Sequence, residues 1–302
     1  MITISSLGTR GNLGNQLFQI ASIIGIAKKH QQDYFFPKWQ YTDYFENGLP
    51  EGDLDNSFIH LKDREFNYHK WNITANANYD LEGWLQTEKY FDIKKTREIF
   101  KFRDDFTSKT LAKHGSIFEK KTILISVRRG DFVNNSHFFQ LSYRFYLLAI
   151  VNNFPDYKDR TLVFTSDDIN YCKFHYSFLK NAIFLENVPP MEQIVLGINC
   201  DDYIISNSTF SWWLAWLGEN ENKRIYRPIK NLAGDFGRIN NDKDYFPERW
   251  IAFDEEKYSL TSNFTILICK GSIYSLLVDV KHLYKVKLES SKKIVKKIIG
   301  NE

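Results

Sequence analysis

Short apolar runs that end in polar clusters, with helical patterns between them, leave the second half of this chain few folds to adopt. Residues 123–127 (ILISV) lead into Arg128-Arg129-Gly130-Asp131, residues 161–165 (TLVFT) into Ser166-Asp167-Asp168, and residues 203–205 into Ser206-Asn207-Ser208-Thr209. Residues 182–185 and 224–226, the latter a last strand before Pro228, are similar runs. Runs this short and this rich in β-branched residues read as buried strands. Between them, helices are predicted over 143–152 and 191–199. Strands alternating with helices imply a parallel sheet covered on both faces.

The first half opens in the same way. A strand is expected over 2–7, then the loop GTRGNLGNQ, then a helix carrying Leu13, Leu17, Ile20, Ile24 and Ala27 on one face. Lys28 and Lys29 close it where the helix dipole favours cations. Gly8, Gly11 and Gly14 are spaced GxxGxxG, which is not the dinucleotide fingerprint GxGxxG, so no nicotinamide cofactor is read from this loop. Residues 33–80 read as irregular, 79–91 as a strand and a turn, and 93–114 as one charged helical stretch. The expected organisation is a Rossmann-like domain over 1–115, a second over 116–256, and a tail over 257–302.

Charge is uneven. The formal net charge is +3, yet residues 270–302 hold eight lysines against three acids, so the rest is slightly acidic. The body is therefore no polyanion surface, and no nucleic-acid partner is expected. Apolar spacing in YSLLVDVKHLYKVKL and KKIVKKII makes the tail amphipathic. It is a candidate for peripheral contact with an anionic membrane, the alternative being a terminal helix packed on its own protein. No window approaches twenty apolar residues, and the N-terminus lacks the apolar core of a leader. Cys172, Cys200 and Cys269 are far apart and odd in number, which suggests neither a disulfide framework nor a zinc knuckle and fits a cytoplasmic setting. Aromatics reach 16%, an excess that suits sugar platforms or simply cores.

Ligands of open α/β sheets bind beyond the carboxyl ends of the strands, and three such ends here carry unusual chemistry. Strand alternation puts Ser126 and Arg128 on one face and Arg129 on the other, where it is expected to pair with a carboxylate, Asp131 being the candidate, and to fix the turn. The two guanidinium forks suit a diphosphate or, alternatively, an Arg–Asp latch. In SNSTFSWWLAWLG, Phe210, Trp213, Leu214 and Leu217 trace a buried helix face, with Ser208 or Thr209 as N-cap. The N-terminus of that helix offers free N–H groups to phosphate; its tryptophans read as core. Asp167-Asp168 suits a metal, a ribose or a helix cap, and the cap is the commoner use. His137, in the loop after Arg128–Asp131, suits a general base or mere solvation. No HExxH, HxH or GxSxG is present.

Taken in order, GNLGNQLFQ, LQTEKYF, RRGDF, TSDDINYCK, SNSTFSWWLAWL and DYFPERWI resemble the bacterial α-1,2-fucosyltransferases over roughly residues 2–251. The resemblance implies a GT-B-like α/β fold in which two Rossmann-like domains with parallel sheets face a central cleft. It implies GDP-fucose as donor, a galactoside as acceptor, inversion at the anomeric carbon, and no metal or other cofactor. Matched residue by residue, Arg128 contacts the donor diphosphate while Arg129 and Asp131 support the cleft. Ser206, Asn207, Ser208, Thr209 and Ser211 face phosphate, and Asp168 and Glu192 approach nucleoside or sugar. Gly14, Asn15 and Gln16 face the donor across the cleft, and Asp131 and His137 are candidates to take the acceptor's proton. Two positions depart from the pattern: Ser126 stands where the family usually has histidine, and Gln193 where an acid is often found. Ser126 is kept as a donor-binding residue, and its change makes a different GDP-sugar the second reading; a catalytically weak nucleotide- or glycan-binding relative is the third.

Overall fold

The computed structural model of the chain describes residues 1–63, 65–259 and 265–299. It divides into two units, residues 1–254 and 255–302. In the first, β1 (Ile2–Thr3) passes through the glycine loop into α1 (Leu13–Lys29). Strands β2 (Phe58–Lys62) and β3 (Asn78–Glu82) complete a parallel three-stranded sheet in the order β1-β3-β2. β1 is shorter than the expected run because the chain turns from Ser5 onward. β2 lies in a segment expected to be irregular; its sequence, FIHLK, keeps two residues half-buried and three exposed, so its apolar signal is weak. The stretch 93–114 is two helices, α2 (Ile93–Ile99) and α3 (Asp104–Lys113). Phe100 and Phe102, both buried, break it: Phe102 bridges Phe45 in a strand-like pairing that a helix would forbid.

The apolar runs of the second half form a six-stranded, all-parallel sheet. In chain order it comprises β4 (Thr122–Val127), α4 (Tyr143–Asn153), β5 (Thr161–Ser166), α5 (Ile169–Tyr176) and β6 (Ala182–Phe184), followed by α6 (Pro190–Ile198), β7 (Asp202–Ile205), α7 (Thr209–Gly218) and β8 (Ile225–Pro228). After α8 (Gly234–Ile239), β9 (Ile251–Phe253) adds an edge strand that the sequence reading lacked, so β8 is not the last. The spatial order is β6-β5-β4-β7-β8-β9. The chain builds outward from β4 to β6, then returns to the other side of β4 with β7. That reversal parts the loops after β4 and β7 and opens a crevice at their carboxyl ends.

One continuous core joins the two sheets. Helix α1 is buried from Leu13 to Ala27 except at Asn15, because β1, α2 and α7 surround it. Trp212, Trp213 and Trp216 are fully buried, as a core reading of these residues expects. Phe18 of α1 lies 4.5 Å from the Trp212 ring, and Phe91 stacks on Trp213 at 5.5 Å and 17°. Each indole N–H of Trp212, Trp216 and Trp250 has an acceptor: the Tyr245 carbonyl, Glu88 and Glu219 respectively. Arg249 spans Glu88 and Glu219, with N–O distances of 2.6 and 2.5 Å.

The second unit contains α9 (Thr265–Ile299), 35 residues long. Ile273, Leu276, Leu277, Val280, Leu283, Tyr284 and Leu288 are exposed on it. No helix among the described residues is long and apolar enough to cross a membrane. Residues 260–264 and 300–302 of the tail lie outside the described residues.

Candidate active site

A cavity of about 610 Å³ opens where the topology reverses. Its floor is made by the carboxyl ends of β4, β5 and β7 and by two helix N-termini. Helix α1 presents Leu13 and Gly14, and α7 presents Ser208 to Ser211. The two helices meet at Gly14, where a Cβ would lie 2.5 Å from the Phe210 nitrogen. Glycine is thus needed for the first turns to converge. Helix N-termini carry unpaired N–H groups and partial positive charge, and here two such ends share one cavity. Ser208 caps α7, its Oγ accepting the Phe210 N–H at 3.2 Å.

Arg128 brings a full charge to the same place. One terminal nitrogen lies 2.5 Å from Asp131 Oδ1, and the other lies 3.3 Å from Asp167 Oδ2. Its side chain is 22% exposed. This corrects the expected pairing of Arg129 with Asp131. The guanidinium of Arg129 instead lies over the Tyr171 ring at 4.2 Å, and its backbone N–H donates to Asp167 Oδ1 at 2.8 Å. Asp167 therefore fastens both the loop and the arginine. Gly130, at φ +21°, permits this, since a Cβ there would collide with the Asp167 carboxylate.

Ten of the residues singled out in the sequence line the cavity: Gly14, Asn15, Ser126, Arg128, Asp131, His137, Asn207, Ser208, Thr209 and Ser211. Asn15 Oδ1 accepts the Gln86 amide at 2.8 Å. Asn207 donates to the Phe139 and Asn231 carbonyls and so ties two loops to the rim. The His137 ring stacks on Phe236 at 4.5 Å.

Five others stand apart from the lining. Gln16 braces the glycine loop through the Gly11 carbonyl and accepts the Trp39 indole N–H. Arg129 occupies the Tyr171 face already described. Asp168 caps α5, accepting the Tyr171 N–H at 3.0 Å. Glu192 turns toward α3, 2.9 Å from Lys113 Nζ and 3.2 Å from His114 Nε2. Partial burial would raise its pKa, but these two partners outweigh that and hold the carboxyl below its ordinary range. Ser206 is fully buried under Ser211.

The cavity also contains residues outside those fifteen; the sequence reading names Asp167 and Gln193 among them, but not Trp84, Phe66 or Phe236. Asp167 rather than Asp168 faces it, together with Trp84, Gln86, Phe66 and Phe236. Arg10 lies over the Trp84 ring at 4.6 Å and is fixed by Glu82 at 2.6 Å. Gln193 lines the cavity too; its carbonyl accepts the Thr165 hydroxyl and its amide donates to the Val188 carbonyl at 2.7 Å. Gln86 stands within LQTEKYF and was legible there; the aromatics were not distinguishable from core. Among the described residues, no group of three or more His, Cys, Asp or Glu is arranged to hold a metal ion.

With two positive helix ends, an arginine fork and several hydroxyls converging, the site is chemically suited to a phosphate-bearing ligand. The chain is also similar to known proteins. The alpha-1,2-colitosyltransferase of Escherichia coli is 25% identical over 81% of this chain and 97% of its own length. The svh-11 protein of Caenorhabditis elegans, provisionally named a galactoside 2-alpha-L-fucosyltransferase, is 27% identical over 87% of this chain and 81% of its own. In fold, POFUT1 in complex with GDP aligns with a TM-score of 0.51 at 10% identity, covering 75% of this chain and 97% of that one. That likeness agrees with the expected GT-B-like α/β architecture. The family model described as glycosyl transferase family 11 matches residues 17–254, the whole first unit but for its opening strand, the glycine loop and the first turn of α1, and the chain belongs to that family.

Proposed function

We propose that the protein transfers L-fucose from GDP-fucose to the 2-hydroxyl of a galactoside, with inversion and without a metal, in surface polysaccharide or related glycan synthesis. The observation that carries the reading is the convergence of Arg128 with the N-termini of α1 and α7 in one cavity. The acceptor oxygen attacks the anomeric carbon as the bond from that carbon to the phosphate oxygen breaks, and the bonding pair leaves with GDP. Negative charge grows on the diphosphate, and donors already aimed at it stabilise that growth; this is usually the largest catalytic effect. Arg128 exchanges a carboxylate for phosphate oxygen in this step. The acceptor's proton passes to Asp131 or His137, both of which face the cavity.

Ser126, together with the colitosyltransferase relative, favours a second reading, in which the donor is another GDP-sugar. A GDP-release assay over a panel of galactosides, with GDP-fucose or GDP-mannose and with or without EDTA, separates them. The first reading expects galactoside-dependent release from GDP-fucose, unchanged by EDTA. Release from GDP-mannose alone would favour the second, and no release from GDP-fucose would oppose the first.

Helix α9, with exposed apolar side chains and a lysine-rich sequence, docks on the anionic inner face of the membrane in this proposal. Sedimentation with vesicles of anionic and of neutral lipid, using the full chain and a chain ending at residue 254, tests it. Equal recovery of both chains would refute the contact.

A further inference from the structure

Three buried serines lie in a row beneath the cavity. Ser126 Oγ is 2.7 Å from Ser211 Oγ, and Ser211 Oγ is 2.8 Å from Ser206 Oγ. Their exposures are 2%, 2% and 0%. The row joins the end of β4 to the first turn of α7, so it crosses the reversal point of the sheet. Ser126 and Ser211 line the cavity, whereas Ser206 does not.

Each hydroxyl has one proton to give and lone pairs to receive. Ser206 Oγ also accepts the Ser208 N–H at 3.3 Å. If the protons ran inward, from Ser126 to Ser211 to Ser206, the last proton would sit on Ser206. Among the described residues, Ser206 Oγ has no acceptor other than Ser211. A fully buried O–H would then have nowhere to donate, which is unfavourable. If they run outward, Ser206 donates to Ser211 and Ser211 to Ser126. Every buried proton then has an acceptor, and the one left over belongs to Ser126, at the cavity wall beside the α7 N-terminus.

We propose that Ser206, Ser211 and Ser126 form a one-way hydroxyl chain whose outer end donates to a phosphate oxygen of the nucleoside diphosphate. The inference rests on the reading that the cavity holds a GDP-sugar. Ser126 touches the ligand; Ser206 acts through it as a positioning residue. Because Ser206 has no second acceptor among the described residues, the row leaves its one spare proton on the cavity side, at Ser126 or, where Ser211 accepts from both neighbours, at Ser211.

Calorimetric titration of the full-length protein with GDP tests this through a double-mutant cycle. Ser126→Ala is expected to weaken GDP binding roughly 10-fold, the scale of one hydrogen bond to an ionised acceptor. Ser206→Ala frees the chain to run either way and is expected to weaken binding about 3-fold. In a Ser126→Ala background, Ser206→Ala is expected to cost nothing further, and this non-additivity is what a merely structural serine would not show. Should Ser126→Ala fail to fold, Ser126→Cys keeps a weak donor of similar shape and is expected to bind with intermediate affinity. Equal effects of Ser206→Ala in both backgrounds, or no effect of either serine while Arg128→Ala abolishes binding, would overturn the chain and leave the GDP-sugar reading standing. A wild-type protein that binds no GDP would overturn both.

Discussion

Replacing Gly130 by alanine tests how the arginine is held. Gly130 has φ +21°, and a methyl group there collides with the Asp167 carboxylate. Two costs add. An L-residue forced into this backbone region loses about 1–2 kcal/mol. Moving Asp167 weakens its bond from the Arg129 N–H, 2.8 Å long, and its pairing with Arg128 at 3.3 Å. A hydrogen bond to a charged group contributes about 1.5–3 kcal/mol, and the partial exposure of Asp167 places this one at the low end or below. The total is about 2–4 kcal/mol, or roughly 5–15 °C in melting temperature for a unit of this size. Loss of the Asp167 support also lets Arg128 wander, so GDP affinity should fall roughly 10-fold. Thermal denaturation and calorimetric titration measure the two effects separately. Asp167→Asn, which keeps the shape, should lose affinity with a smaller loss of stability. A Gly130→Ala protein that melts and binds GDP like the wild type would refute the claim that Asp167 fixes the loop.

Trp213→Ala removes a fully buried ring packed on Phe91, Phe18 and Phe100, and should cost about 3–5 kcal/mol by denaturant titration. Because the core is continuous between the sheets, far-UV dichroism and the remaining tryptophan fluorescence should shift together. His175, buried among Tyr143, Tyr171 and Phe174, has its pKa lowered to about 4, first by burial and then by Arg129. The unfolded chain takes up a proton near pH 6.5 that the folded one refuses. The His175 contribution to stability should therefore fall by up to about 3 kcal/mol as pH drops from 6.5 to 4, and no further below that. His175→Gln should flatten that part of the melting-temperature profile, and an unchanged slope would contradict the assignment.

The second sheet was legible because each strand is a short apolar run ending in polar residues, and the order of such runs with helices admits few topologies. That the three strand ends line one cavity was legible for the same reason. What the pattern could not carry was the loop between them. Period-two reasoning assigned Arg128 to the cavity side correctly, but the turn at Gly130 sends Asp131 to Arg128 rather than to Arg129. The helix phase at α6 was equally out of reach: Gln193 faces the cavity, while Glu192, one step of about 100° around the helix, meets Lys113 and His114. Choosing between neighbours there requires knowing which side of α6 covers the sheet. β2 and β9 were missed because two-sided exposure at a sheet edge erases the alternation on which strand reading depends.

The most direct measurement is a structure of the protein with GDP bound. The diphosphate should lie on the first turn of α7, within hydrogen-bond distance of Arg128, with Asp131 displaced from the guanidinium. A nucleotide seated elsewhere, with Arg128 still clamped between Asp131 and Asp167, would contradict the account.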